Sequence, residues 1–155
     1  MASEYDLTLT RVLDASLERV WRAWTEQSQI KDWWGPRGAT NPTCEWDAKP
    51  GGKLNIVMLA GKELGPLAGQ EWPMDGEFKV VEPLKKLVFT TRAISRDRSI
   101  LENLVTVDFK GQGDSTKLTI QIEVTKITPE ASSALQGMEQ GWNQQLDKLT
   151  EKMKS

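Results

Sequence analysis

The sequence predicts an α+β domain in which a curved antiparallel sheet packs against a long C-terminal helix. Two patterns support this fold class. Apolar and polar residues alternate over much of the segment from Thr43 to Thr125, and apolar residues then recur every three or four positions from 131 to 153. Short strands joined by tight turns form antiparallel meanders. Because no repeat or long linker interrupts these patterns, we expect residues 1–155 to form a single domain.

The N-terminal part predicts one strand and a first helix. Residues 7–12 alternate in side-chain type, which is typical of a short strand. Residues 14–16 then offer helix N-caps. The next apolar stripe has the spacing of one helix face and consists of Leu17, Val20, Trp21 and Trp24. We expect this stripe to dock the first helix on the sheet.

A second short helix is expected after Ser28, and it carries Trp33 and Trp34. Gly35 and Pro36 end it, because proline has no amide proton with which to continue the helical ladder. Neighbouring side chains on a helix are about 100° apart, so we predict that one of the two tryptophans touches solvent or gates an opening. This region or an exposed sheet edge is where a homodimer would form, and the sequence leaves monomer and homodimer open.

The middle of the chain predicts strands, each with alternate positions on one face. These positions are Cys44, Trp46 and Ala48; Leu54, Ile56 and Met58; Met74, Gly76, Phe78 and Val80; Leu87, Phe89 and Thr91; Val105, Val107 and Phe109; and Leu118, Ile120, Ile122 and Val124. Glycine and proline at Pro50–Gly52 and glycines at Gly111–Asp114 indicate turns between strands. The segment Gly61–Gln70 is interrupted by glycine and proline, and we predict a long loop there.

The C-terminal segment predicts one amphipathic helix of about seven turns. Thr128 is the expected N-cap, and Pro129 suits the first helical position. The apolar stripe consists of Ala131, Ala134, Leu135, Met138, Trp142, Leu146, Leu149 and Met153. Such a stripe must lie on an apolar surface, and the inner face of the sheet is the large candidate.

This order of elements resembles the helix-grip architecture of the SRPBCC superfamily, which includes START domains and pollen-allergen-like proteins. Residues 13–25, 32–36, 50–52 and 137–142 resemble the branch of that superfamily formed by activator of heat-shock-protein-90 ATPase homologue-like proteins. The resemblance covers the chain from about Tyr5 to Met153. It implies the helix-grip fold and a chaperone-accessory or other protein-interaction role, and it implies no catalytic residue.

Composition excludes several classes of function. The chain has no histidine, which removes histidine-based catalytic triads, and its single cysteine, Cys44, cannot form an intrachain disulfide. A net charge of −2 gives no basic field for nucleic acid. The longest aliphatic stretch, Ile56–Ala60, is too short to insert into a membrane, and Glu4 and Asp6 stand where a signal peptide carries positive charge. We expect a cytoplasmic protein without metal or cofactor.

A long helix across a curved sheet leaves internal space where the two surfaces diverge. Aromatic and methionine side chains suit the wall of such a cavity, because they offer wide apolar area at little cost in ordering. The residues with the parity or helical phase to face this space are Trp46, Met58, Trp72, Met74, Phe89, Thr91, Asn103, Leu135, Met138 and Trp142. We call this set the predicted wall. The alternative is that its apolar members simply form the core.

Polar residues divide between the two faces of the predicted sheet. Thr91 and Asn103 share inward parity with the apolar positions, so they either orient a ligand or bond to neighbouring backbone and buried water. Arg11 also has inward parity, but we expect its long side chain to return to water. The carboxylates available for acid–base chemistry are expected mostly on the outer face, and they are Asp75, Glu77, Glu102 and Asp108.

These observations leave three hypotheses for function. The first is binding of a hydrophobic or aromatic small molecule between the sheet and the C-terminal helix. The second is the chaperone-accessory role that the resemblance implies. The third is a cofactor-free cyclase or hydrolase, which requires a carboxylate or an arginine in the cavity. No catalytic residue is predicted.

Overall fold

A computed structural model describes residues 6–154, without the side chains of residues 133 and 134. One antiparallel sheet has seven strands in the order β1-β7-β6-β5-β4-β3-β2. The strands are β1 (Asp6–Leu13), β2 (Ala39–Trp46), β3 (Lys53–Ala60), β4 (Glu71–Glu82), β5 (Lys86–Ser95), β6 (Arg98–Gln112) and β7 (Ser115–Ile127). The helices are α1 (Leu17–Thr25), α2 (Gln27–Trp33), α3 (Ser132–Gln136) and α4 (Met138–Lys154). This is the predicted helix-grip fold.

The sheet is a continuous meander from β2 to β7, and β1 then pairs with β7. The first and second strands therefore lie at opposite edges, and α1 and α2 connect them. The Ser16 hydroxyl accepts a hydrogen bond from the Arg19 amide at 3.3 Å, which confirms the predicted cap of α1. Trp24 on α1 is fully buried, and Trp21 packs edge-on against Phe109 of β6. The apolar stripe of α1 thus docks on the sheet as predicted.

The expectation that Trp33 and Trp34 cannot both face inward is wrong, and neither reaches solvent; the alternative that one of them gates an opening stays a prediction. Trp33 is fully buried and Trp34 is 4% exposed. The 100° separation holds only inside a helix, and α2 ends at Trp33, since Trp34 is extended with φ −67° and ψ 143°. Its side chain is therefore free to turn inward beside that of Trp33. Because both indoles are buried, they offer no surface for a homodimer.

Two local features differ from the predicted pattern, one in the sheet and one in the loop between β3 and β4. A β-bulge interrupts the pairing of β4 with β5 between Phe78 and Val80. The extra residue reverses the parity of the later positions in β4, so Val80 is exposed and Val81 packs on the core instead. The predicted loop Gly61–Gln70 contains a short 3₁₀ segment, Lys62–Leu67, kinked at Gly65 where φ is +55°.

The C-terminal segment is divided where a single helix is predicted. A 3₁₀ turn (Pro129–Ala131) leads into α3, and Gly137 separates α3 from α4. Glycine costs about 1 kcal/mol in a helix interior, which favours a break there. Thr128 supplies no side-chain cap; its hydroxyl donates to the Ile100 carbonyl oxygen at 3.1 Å.

The apolar stripe nevertheless faces inward. Met138, Leu146, Leu149 and Met153 are buried, and Leu135 and Trp142 are half-buried against the core. Ala131 is also buried, while the predicted position Ala134 lies outside the described side chains.

Polar contacts orient α4 along the first strand and the first helix. The Arg11 guanidinium donates to Asp147 at 2.8 Å and to the Asn143 side-chain oxygen at 3.1 Å. The expectation that Arg11 returns to water is wrong, because α4 places these two acceptors beside β1. Arg19 also donates to the Met153 carbonyl oxygen at 2.7 Å, near the end of the helix. Within residues 6–154, no helix has the length and apolarity needed to span a membrane.

Candidate ligand-binding site

A group of aromatic rings packs between the sheet and the helices. Its centre is Trp34, whose ring centroid lies 5.3 Å from that of Trp46 and 6.4 Å from that of Phe89. Trp46 and Phe89 are 5.3 Å apart, and Phe78 lies 5.4 Å from Phe89. These distances are typical of favourable tilted and edge-to-face pairs. All four side chains are at most 4% exposed, so we call this aromatic group the closed end.

The backbone beside Trp34 is held by side chains from two other elements. Asn41 of β2 donates to the Trp34 carbonyl oxygen at 3.0 Å. From α4, the Gln145 amide oxygen accepts from the Gly35 amide at 2.6 Å, and the Lys148 amine donates to the Trp34 carbonyl oxygen at 3.2 Å. Burial lowers the pKa of Lys148. This segment is therefore fixed independently of the Trp34 indole.

Four other apolar side chains of the predicted wall are less buried than this aromatic group. Met58 of β3 and Trp72 of β4 are register partners, and both are half-buried. The Trp72 indole nitrogen donates to the side-chain oxygen of Gln70 at 3.2 Å. Leu135 and Trp142, which belong to the C-terminal helical segment, are also half-buried. We call these four apolar side chains the open end.

Two polar side chains of the predicted wall form a pair. Thr91 of β5 and Asn103 of β6 are register partners, and the Asn103 amide nitrogen donates to the Thr91 hydroxyl at 3.2 Å. The sequence leaves ligand contact, backbone bonding and water open for these residues; the observed partner is the neighbouring side chain. The Asn103 amide oxygen is buried and has no hydrogen-bond partner among the described residues. Such an acceptor costs about 1–3 kcal/mol.

The structure divides the predicted wall by burial. Trp46, Met74, Phe89, Thr91 and Met138 are buried, whereas Met58, Trp72, Asn103, Leu135 and Trp142 are half-buried. Trp142 joins the two ends, since its ring centroid lies 5.6 Å from that of Trp34. The role of this set in binding stays a prediction.

Trp34 is absent from the predicted wall, although the sequence offers it or Trp33 as a residue that gates an opening. The signal for it is the pair Gly35 and Pro36 directly after it. A helix that ends just before Trp34 releases that side chain from the helical angle.

The carboxylates lie on the outer face of the sheet, as predicted, where there is a polar groove of about 660 Å³. Arg92 makes a double hydrogen bond to Asp75, at 2.7 and 2.9 Å. Hydrogen bonds from Lys79 and Lys53 lower the pKa of Glu77 from 4.5 to about 2. These carboxylates are therefore paired with cations away from the interior. No member of the predicted wall is ionisable, so the wall supplies no general acid or base.

Solved structures resemble the whole chain. Protein CV1439 from Chromobacterium violaceum superposes with a TM-score of 0.80 at 24% identity, over 97% of this chain and 98% of its own. A protein from Silicibacter pomeroyi, described as AHSA1 (SPO3351), gives a TM-score of 0.79 at 23% identity, over 96% of each chain. Protein NE0264 from Nitrosomonas europaea gives 0.78 at 24% identity, over 97% of this chain and 95% of its own. At these identities the likeness establishes the fold.

Sequence comparison identifies the family. No curated protein matches the chain significantly. The family model described as Activator of Hsp90 ATPase homolog 1-like protein matches residues 14–154. This match covers nearly all of the chain and agrees with the resemblance seen in its motifs. The chain therefore belongs to the family of Activator of Hsp90 ATPase homolog 1-like proteins.

Proposed function

We propose that this protein binds a small apolar molecule that carries one hydrogen-bond donor, in the open end between the sheet and the C-terminal helical segment. The observation that carries the proposal is the Asn103 amide oxygen, which is buried without a partner among the described residues. Asn103 and Thr91 are the two polar members of the predicted wall, and Asn103 also borders the polar groove on the outer face. A ligand hydroxyl or amine would satisfy this acceptor. The fold and the family are compatible with ligand binding.

The open end would supply the apolar contacts to the ligand. Met58, Trp72, Leu135 and Trp142 are large apolar side chains that remain partly exposed. Covering apolar surface contributes about 25 cal/mol per Å², so a ligand with an aromatic ring gains affinity by covering them. Aromatic side chains and methionine adapt to such a ring with little loss of conformational freedom.

The Asn103 amide would give the ligand an orientation. The Asn103 amide is held by its bond to Thr91, so its oxygen has a defined direction. This oxygen is sealed from water in the free protein, and binding therefore requires neighbouring side chains to shift. Recovering the lost hydrogen bond offsets the cost of that shift.

The test uses two ligands that differ in one hydrogen-bond donor. 4-Ethylphenol carries a hydroxyl, and 4-ethylanisole has the same ring with the hydroxyl methylated. We expect 4-ethylphenol to raise the melting temperature and to bind about tenfold more tightly in calorimetry, which is the effect of one hydrogen bond in a buried site. Absence of binding by both ligands, or equal binding by both, contradicts the proposal.

A double variant separates the polar pair from the rest of the wall. Thr91→Val with Asn103→Leu replaces both hydrogen-bonding partners by apolar groups of similar size, which leaves stability nearly unchanged. We expect this variant to lose the preference for 4-ethylphenol while it still binds 4-ethylanisole. Asn55→Ala, at an exposed position of β3, is the control and should retain the preference.

The other two hypotheses have less support. The chaperone-accessory role is supported by family membership, and unchanged turnover of the chaperone ATPase at saturating protein would count against it. The cyclase or hydrolase hypothesis needs an acid, a base or an arginine facing the ligand. The predicted wall contains none of these groups, so this hypothesis has no candidate catalytic residue in the wall.

A further inference from the structure

We propose that Trp34 sets the depth of the binding site, so that the protein accepts ligands with one ring and excludes ligands with two rings in line. This inference rests on the proposed function, because it concerns the ligand of that same site. It assigns to Trp34 a role in specificity that the sequence alone does not indicate.

The Trp34 indole lies between the sheet and α4. It contacts Trp46 and Phe89 on the sheet, at 5.3 and 6.4 Å between ring centroids, and Trp142 on α4, at 5.6 Å. A side chain that touches both the sheet and the helix occupies the space between them. Trp46, Phe89 and Trp142 belong to the predicted wall. The Trp34 ring therefore occupies the place beside them where a longer ligand would have to lie.

Trp34 adjoins the open end through Trp142 and through its neighbour Gly35. Trp142 contacts the Trp34 ring and is itself half-buried, so it lies at the boundary between the two ends. Gly35, the residue after Trp34, approaches Met58 of the open end so closely that an added Cβ would lie 3.0 Å from the Met58 sulfur. Space released by shortening Trp34 would therefore adjoin the open end.

We expect the backbone of Trp34 and Gly35 to stay in place when the Trp34 side chain is shortened. The Trp34 carbonyl oxygen accepts from Asn41 and Lys148, and the Gly35 amide donates to Gln145. None of these bonds involves the indole. An apolar cavity of roughly 150 Å³ can stay dry and bind a benzene-sized molecule, which is the size of the second ring that we expect it to admit.

The experiment compares 4-ethylphenol with the two-ring ligand 4-phenylphenol on the full-length protein. Wild type should bind 4-ethylphenol and should bind 4-phenylphenol at least about tenfold more weakly. Trp34→Ala should reverse this order and tighten 4-phenylphenol binding by about tenfold or more. Trp34→Leu keeps more apolar bulk and should raise the affinity for 4-phenylphenol by a smaller factor. If Trp34→Ala does not fold, the comparison is made with Trp34→Leu.

The matched control is Trp33→Leu. Trp33 is equally buried and its ring centroid lies 5.8 Å from that of Trp34, but its closest ring contact is Trp24 of α1, at 4.7 Å, and its indole nitrogen donates to the Ala23 carbonyl oxygen. We expect this variant to lose stability without gaining affinity for 4-phenylphenol. If wild type binds 4-ethylphenol but the Trp34 variants gain no more than Trp33→Leu, the depth inference is overturned. If wild type binds neither ligand, the proposed function itself fails.

Discussion

The closed and open ends of the interior contain the same kinds of side chain in different surroundings. At the closed end, Trp34, Trp46 and Phe89 pack ring against ring and are almost inaccessible. At the open end, Trp72 and Trp142 are partly exposed, as are Met58 and Leu135. At the closed end the backbone of Trp34 and Gly35 is hydrogen-bonded to Asn41, Gln145 and Lys148, whereas Leu135 and Trp142 of the open end lie on either side of the helix break at Gly137. Stability and binding can therefore reside in separate parts of one apolar interior.

The largest expected effect comes from truncating one aromatic residue at each end. Phe89→Ala should lower the free energy of unfolding by about 3–5 kcal/mol, because it leaves a cavity in a packed group. Trp72→Ala should cost about 1 kcal/mol, because its ring already meets water, and it should weaken ligand binding. Denaturant unfolding of both variants measures the comparison. Equal losses of stability would remove the distinction between the two ends.

The next largest effect concerns the polar clamp, which is the group of side chains that hold the backbone of the closed end: Asn41, Gln145 and Lys148. Gln145→Leu should lower the free energy of unfolding by about 1–3 kcal/mol, because it leaves the buried Gly35 amide without an acceptor. Gln144→Leu is the matched control. Gln144 accepts from the exposed Arg37 amide at 3.1 Å, so water can replace it and the change should stay within about 0.5 kcal/mol. Similar costs in the two variants would show that the clamp contributes little.

The smallest effect is a pH dependence that belongs to the outer face and should leave both ends unchanged. The pKa of Glu77 is lowered from 4.5 to about 2 by Lys79 and Lys53. A lowered pKa in the folded state stabilises the fold above pH 4.5, and this contribution is lost as the pH falls toward 2. Glu77→Gln should therefore lose less stability than wild type over that interval in acid unfolding. Parallel curves for the two proteins would contradict this assignment.

Much of the fold can be predicted from periodicity, and the exceptions have local causes. Alternation predicts the inward faces of β3, β5 and β7, because a half-buried strand repeats every two residues. It fails at Val80, where one bulged residue reverses the parity. Helical spacing predicts the inward stripe of the C-terminal segment but not the break at Gly137, since a glycine that costs about 1 kcal/mol is often tolerated within a helix.

The candidate site is predictable in its composition and less so in its geometry. Parity places Thr91 and Asn103 on the inner face, and the structure adds the hydrogen bond between them. The unpartnered Asn103 oxygen depends on what every neighbouring side chain does, so no sequence pattern reveals it. The sequence pattern misplaces Trp34 because the helical angle does not apply to a residue past the end of α2.

The most direct test of the account is to follow the methionine methyl groups by NMR during titration with 4-ethylphenol. Met58, Met74 and Met138 belong to the predicted wall, whereas Met153 is buried near the far end of α4 and serves as an internal control. We predict saturable shifts of the Met58 and Met138 methyl signals while the Met153 signal stays in place. Unchanged signals at saturating ligand, or equal shifts that include Met153, would contradict binding at the open end.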